Sequence, residues 1–481
     1  MTQRMPHPLT KLTRRMLPFA DAASRDLPIG QLLRLSLFQV SVGLASVMLL
    51  GTLNRVMIVE LSVPAMIVAI MIALPVLIAP FRALIGFRSD TYRSAIGWKR
   101  VPFIWFGSLW QMGGLAVMPF ALLVLSGDQT VGPTWAGEVL AALAFLMTGL
   151  GLHMTQTAGL ALASDRATEE TRPRVVALLY VMYLLGMGLS ALLIGWLLRD
   201  FTNLTLIRVV QGAALAGLLL NLVALWKQEH VRPMTKEQRL APRPSFAKTC
   251  SEFMAEGASA RLILVVFLGT LAFNMQDVLL EPYGGEILGL AVGQTTWLTA
   301  AWAFGALMGL AYAARRLKAG LSAYRLMSNS IFFGLLAFPA VIVSAPIAST
   351  TLFFTGAFLI GMGSGLFAVS TLIAAMLLGE NENTSHGLAL GAWGASQATS
   401  AGLAIALGGT LRDWINTLAM RGDLGETLAT PATGYSFVYH LEIAVLIVTL
   451  AILVPLVRMA QRTQSKSDHG NSGIKLADFP M

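Results

Sequence analysis

Cysteine is nearly missing from this sequence: 481 residues contain only Cys250, so no intrachain disulfide can brace the fold. Charge is scarce as well. Asp, Glu, Lys and Arg make up 12% of the chain, about half the roughly 25% usual in soluble domains. That shortage leaves too few groups to face water and excludes a soluble enzyme. Disorder is excluded by the 56% apolar content, far above what a chain that cannot fold would carry. Catalytic signatures are missing too, with no nucleophilic triad in local context, no metal-ligand spacing and no phosphate loop. The run Gly361-Met-Gly363-Ser-Gly365 follows no strand, and reads instead as small residues that let helices or a ligand approach closely. The first 34 residues hold Arg4, Lys11, Arg14, Arg15, Arg25 and Arg34 but no apolar core, so no cleavable signal peptide is expected. What remains is a non-enzymatic, all-α polytopic membrane protein.

A bilayer core of about 30 Å takes about 20 apolar helical residues. Twelve such stretches are predicted: 35–57, 63–86, 101–125, 136–162, 174–198, 204–226, 261–281, 291–314, 324–346, 350–378, 387–410 and 436–459. Placing the N-terminus on one side leaves only Arg55, Arg199, Arg208, Arg412 and Arg421 of the 34 lysines and arginines on the other. By the positive-inside rule both termini of this multi-pass protein are cytoplasmic. The net charge of +9 then belongs to a cytoplasmic membrane face and calls for no nucleic acid. Tryptophans such as Trp98, Trp135, Trp226 and Trp414 lie near span ends, where an aromatic belt accounts for them.

The chain divides into a cytoplasmic segment 1–34, a six-helix half 35–226, a linker 227–260, a second half 261–459 and a cytoplasmic tail 460–481. The linker is polar and proline-bearing, with Arg232-Pro233 and Arg243-Pro244. A faint repeat supports the division: Gly51-Thr52-Leu53-Asn54 running to Glu60 matches Gly269-Thr270-Leu271, Asn274 and Glu281. Two six-span halves about a central loop resemble the major facilitator superfamily. The loop after the second span carries Gly86, Arg88, Asp90, Arg93, Lys99 and Arg100. It resembles that superfamily's cytoplasmic signature loop, with the Gly-Lys-Arg element displaced. Gly86 permits close helix approach, and Asp90 can cap a helix or pair with the arginines. The proline-glycine antiporter run of the fifth span is absent.

Polar groups inside a membrane are costly and are functional candidates. Arg55, Glu60, Asp277, Glu281, His440 and Glu442 are placed near non-cytoplasmic helix ends, and no central carboxylate relay is expected. Asp277 and Glu281 are spaced for one helix face, within reach of Arg55, as a gate or as contacts holding the halves together. His153 is the exception in depth. Twelve residues from Asp165, it lies about 18 Å from the surface at 1.5 Å per residue.

Long strings around these residues resemble the PucC family, light-harvesting-complex assembly factors of photosynthetic bacteria. They are LSLFQVSVG and GTLNRVMIVE in 35–60, APFRALIGFRSD at 79–90, GLHMTQTAGLALASD at 151–165 and GTLAFNMQDVLLEPYGGEILGL at 269–290, followed by VGQTTWLTA. GLALGAWGASQATSAG at 387–402 is a looser match. The start LPFADAASRDLP resembles the LhaA branch, linked to the core antenna, more than PucC proper, linked to the peripheral one.

The resemblance implies an assembly factor in the photosynthetic, intracytoplasmic membrane. Its partners would be the single-span α and β antenna polypeptides, with the reaction centre and pigment-synthesis enzymes as further candidates. Bacteriochlorophyll a, bound or in transit, would be its cofactor, with carotenoid as a second pigment. A neutral imidazole can supply the one axial ligand that pigment magnesium takes. His153 fits that role with Gln156 beside it, and the small residues Gly149, Gly151, Thr155 and Gly159 are expected to leave room for a flat macrocycle. His386, at the entrance of the eleventh span, and His440 are further candidates, each with a simpler reading as a cap or an interfacial contact, His440 with Glu442. No other metal site is expected. Two rivals stand beside this reading: an alternating-access transporter of a pigment precursor or other amphiphile, and a pigment-free chaperone for antenna polypeptides.

Overall fold

The computed structural model describes residues 22–24, 27–77, 98, 100–126, 133, 135–168, 171–229, 257–378 and 386–467. Helix α1 is Ile29–Ser46, prolonged by π-helical Val47–Leu53 and Val56–Glu60. It starts where Pro28, whose fixed φ suits a helix entrance, accepts the first backbone hydrogen bonds. Then follow α2 Ala65–Leu77, α3 Val101–Leu125, α4 Ala136–Arg166, α5 Arg172–Leu197 and α6 Asn203–Leu225. After the linker come α7 Gly257–Asn274, a 3-10 turn Met275–Val278 and a short helix Leu280–Glu286. The chain continues with α8 Val292–Lys318, α9 Ala323–Ser344, α10 Thr350–Leu378, α11 His386–Met420 and α12 Ala432–Ser467.

Ten of these helices are long and apolar enough to cross a membrane, and the protein is a multi-pass membrane protein. The other two expected stretches fall on α2, described only as far as Leu77, and on α11. Helix α11 is rich in Gly, Ala, Ser and Thr because it spends its surface on helix packing. A methyl group at Gly409 would meet the backbone of Ala65, and one at Gly402 would meet Leu77.

Packing repeats with a period of six helices. The neighbours α1·α5, α1·α6, α3·α4 and α3·α6 have their mates in α7·α11, α7·α12, α9·α10 and α9·α12. The two groups of six meet along α2·α11 and α5·α8, which are again mates. Glycines set several close crossings. Gly186 of α5 lies on Val40 of α1, Gly151 of α4 on the backbone of Gln111 in α3, and Gly361 of α10 on the Trp302 backbone in α8. The Gly361–Gly365 run therefore serves helix approach.

Candidate functional site

The end at which the chain enters α1 is called here the near end, and the opposite one the far end. At the far end the two groups of helices are stitched together by polar contacts, and the stitching begins with a proline. Pro282 has no N–H to continue α7, so the helix breaks over 275–278 and the Val278 carbonyl is left without its intrahelical donor. Asn54 Nδ2, from α1, donates to that carbonyl at 3.0 Å. Nearby, Thr52 and Thr296 hydroxyls share a hydrogen bond at 3.3 Å, and Arg55 Nη2 donates to the Leu290 carbonyl at 3.1 Å. Gly51 lies in the π-helical segment where its missing side chain leaves space for the Glu281 carboxylate. Thr299 donates to Glu281 Oε1, while Oε2 has no hydrogen-bond partner.

A second stitch lies on the α2·α11 side. The backbone N–H of Met66, in the unsatisfied first turn of α2, donates to Asp413 Oδ2 at 2.7 Å. Arg412 is buried beside it, 7% exposed. It donates to Glu286, to Asp413 Oδ1 at 2.8 Å and to the Tyr435 hydroxyl at 3.1 Å, with its guanidinium 4.4 Å from the Tyr435 ring centre. The Tyr435 hydroxyl donates to Glu286 at 2.7 Å. Tyr283 stands edge-on to Tyr435 and Tyr439, which ties the short helix to α12.

The near end is arranged differently. Glu229 caps the start of α3 by accepting from Arg100 N at 3.0 Å and Val101 N at 2.9 Å, and Arg100 Nε pairs with Asp165 at 2.8 Å. Arg166 donates to Gln228 and Gln31, and Arg34 to the Trp226 carbonyl. These contacts join helices of the first group only.

Several expectations from the sequence change here. Arg55 reaches across the groups to Leu290, but its ion-pair partner is Glu60 on its own helix. Asp277 and Glu281 do not act as one face. The break puts Asp277 in the 3-10 turn, where it accepts from Asn274 and Gln276, while Glu281 turns toward α1 and α8. His440 is exposed, its Nδ1 against the Ser436 carbonyl at 2.7 Å, and does not contact Glu442, which points the other way and is fully buried. The carboxylates Glu281 and Glu442 are buried and Asp277 is half-buried. Nothing local marked Glu442 as buried; only its helical offset from Tyr435 and Tyr439, which share its side of α12, could have done so.

His153 and Gln156 lie half-buried one turn apart on α4. The space expected beside them is not there. Gly151 and Thr155 pack on Gly107 and Gln111 of α3, Gly149 on Pro75 of α2, and Gly159 on Phe38 of α1. Small residues there bring helices together, so a macrocycle enclosed on those faces does not fit. His386 opens α11, and its side chain lies outside the described residues, as do Gly86, Arg88, Asp90, Arg93 and Lys99 of the signature loop.

Packing and seam together define a transporter-type fold of the major facilitator kind. It is shared with the crystal structure of a bacterial homologue of the human lysosomal transporter Spinster, inward-facing and unoccupied. The TM-score is 0.64 at 15% identity, covering 91% of this chain and 97% of that one. Residues 52–461 match the PUCC protein family, and the chain belongs to that family. It is 62% identical over 464 residues to an uncharacterized protein in the puhA-bchM intergenic region of Rhodobacter capsulatus, covering 96% of this chain and 97% of the relative. Protein PucC of Rhodobacter capsulatus is 49% identical over 93% of this chain and 96% of its own length. The bacteriochlorophyll synthase 44.5 kDa chain of the same species is 26% identical over 87% of this chain and 93% of its own.

Proposed function

We propose that this chain is an assembly factor for a bacterial light-harvesting antenna, which holds bacteriochlorophyll or delivers it to single-span α and β antenna polypeptides. Membership of the PUCC family over 52–461 carries the reading. The core antenna is favoured over the peripheral one on the LPFADAASRDLP start of the chain. The link to bacteriochlorophyll a draws on the name of the 26% identical relative; carotenoid, the reaction centre and pigment-synthesis enzymes extend it. We read the protein as non-enzymatic, in keeping with its transporter-type fold. It crosses the inner, photosynthetic membrane twelve times with both termini cytoplasmic, a reading supported by the lysine and arginine bias.

Because the packed faces of α4 leave no enclosed space, pigment would have to meet His153 and Gln156 from their half-exposed face. When bound there, a neutral imidazole offers the magnesium an axial nitrogen; no further step is assigned to it. The decisive experiment is an absorption spectrum of the tagged protein purified in mild detergent from photosynthetic membranes. Near-infrared absorption that survives stripping of antenna subunits, and falls in His153→Ala at unchanged yield, is the expected result. A colourless protein that retains antenna helices makes it a pigment-free chaperone instead.

The far-end seam favours one rival, alternating access. Polar contacts close one end between two symmetric groups, and such contacts can break and reform as the groups rock. Uptake of a pigment precursor or other amphiphile into proteoliposomes, with neither pigment nor subunits on the purified protein, would move this reading to the front.

A further inference from the structure

Among the described residues, Glu442 is a fully buried carboxylate, 0% exposed, with both oxygens unsatisfied. Its surroundings are specific. It lies against the main chain of Gln276 and beside the Asp277 carboxylate, both in the 3-10 turn, and one helical turn from Tyr439, whose ring shares its environment. Helices α7, α9 and α11 pack on α12. The titratable and charged groups they bring toward this region are Asp277, Tyr283, Glu286, Arg412 and Asp413, and α12 itself adds Tyr435 and Tyr439.

The two carboxylates are treated unequally. Asp277 receives donors from Asn274 and Gln276, so its anion is supported. Glu442 has only the main-chain N–H of Gln276 against it, outside good hydrogen-bond geometry, and no side-chain donor. Arg412, on the packed helix α11, is held by Glu286, Asp413 and Tyr435. An ionised carboxylate buried without a cation or a side-chain donor is costly, and the ready remedy is a proton. Two unpartnered buried atoms fit that exchange. Gln276 Oε1, on a residue 1% exposed, can accept from a protonated carboxyl. The Tyr439 hydroxyl, also without a partner and 0% exposed, can donate to an ionised one. The main chain of Gln276 and the ring of Tyr439 bring both residues to Glu442, one able to accept for the protonated state and the other to donate for the ionised one.

We propose that Glu442, with Asp277, Gln276 and Tyr439, forms a proton-binding site that takes up and releases one proton as the 275–278 turn rearranges. The ligand is the proton itself, bound to a Glu442 oxygen; Asp277 tunes the site by its charge, and the two neutral side chains serve its two states. The turn is also where Asn54 stitches the groups of helices together, so the proton and the far-end seam share one movable element. This site stands independently of any role in pigment handling.

The test is difference infrared spectroscopy of the full-length protein in lipid nanodiscs, following the protonated-carboxyl C=O band through a pH titration without sodium and again with it. The expected band titrates, is lost in Glu442→Gln, and moves its midpoint by about one pH unit in Asp277→Asn, since a neighbouring charge couples to the proton. Glu442→Gln keeps the shape of the side chain, and elution and helical circular dichroism check its fold. Should it fail to fold, Asp277→Asn and Tyr439→Phe carry the test, because both must move the midpoint. A band that survives Glu442→Gln, or a midpoint unmoved in both other variants, overturns the proposal. Loss of the band on adding sodium at fixed pH overturns it too, by assigning the oxygen cluster to sodium.

Discussion

The two groups of six helices follow one packing plan but fill their interiors with opposite chemistry. In the middle of α1, α3 and α6 the buried polar groups are neutral, and the group's buried charges, Arg55 and Arg100, lie at its two ends. Gln111 Nε2 reaches the Ser41 carbonyl and hydroxyl, Ser41 donates to the Gly217 carbonyl at 3.0 Å, and Gln39 and Asn221 are buried among them. Around α7, α11 and α12 they include ionisable ones: Glu281, Glu442 and Arg412 are buried, with Asp277 half-buried beside them and Glu286 reaching Arg412 from the surface. An amide cannot change its charge, so the first group holds one arrangement. Carboxylates can gain or lose a proton, and an ion pair can open, so the second group can occupy more than one state. Arg55 is the charge that the first group contributes to the far-end seam.

The comparison can be broken in three places. Arg412→Ala should have the largest effect. It strips Glu286 and Asp413 of their buried cation and empties the space against Tyr435. Because both carboxylates keep some exposure, the loss should lie at the lower end of the about 3–5 kcal/mol of a fully buried pair, read as a lower thermal midpoint in detergent. A loss no larger than that of a surface charge would deny the second group its ionic core. Next come Gly151→Leu and Gly361→Leu, one in each group. A Cβ at Gly151 would lie 2.9 Å from Gln111 Cα, and one at Gly361 would lie 2.7 Å from the Trp302 carbonyl carbon. Overpacking of this kind costs about 1–3 kcal/mol, and equal losses of stability would show that the two groups pack alike despite their different interiors. The smallest effect belongs to Asn221→Leu. Neither polar atom of Asn221 has a partner, so removing the amide should leave stability unchanged or raise it by about 1 kcal/mol. A marked loss would mean that the neutral interior is a satisfied network.

Much of the architecture was legible in order. Ten of the twelve apolar stretches predicted fall on helices long and apolar enough to cross a membrane, the other two on α11 and on α2 as far as Leu77, and the repeat relating Gly51–Asn54 to Gly269–Asn274 lies on α1 and α7, which are packing mates. The site was legible in its residues but not in its pairings. Arg55, Glu60, Asp277 and Glu281 do gather at the far end. Spacing along an unbroken helix nevertheless put Asp277 and Glu281 on one face, whereas Pro282 breaks that helix and sends them apart. The small residues around His153 were visible too. Whether a glycine makes room for a ligand or for a neighbouring helix depends on the neighbour, and here Pro75, Phe38 and Gln111 take the space.

Composition alone determined that this is a helical membrane protein, because 12% charge cannot clothe a soluble surface. Long local strings determined its family, because identity of sequence needs no fold to be recognised. Only the tertiary structure decided which end is stitched shut, that Asp413 of one group caps a helix of the other, and that Glu442 faces inward while His440, two residues away, faces out. Burial and partnership belong to pairs of elements distant in sequence. A local window therefore shows which residues can ionise, and packing decides which of them must.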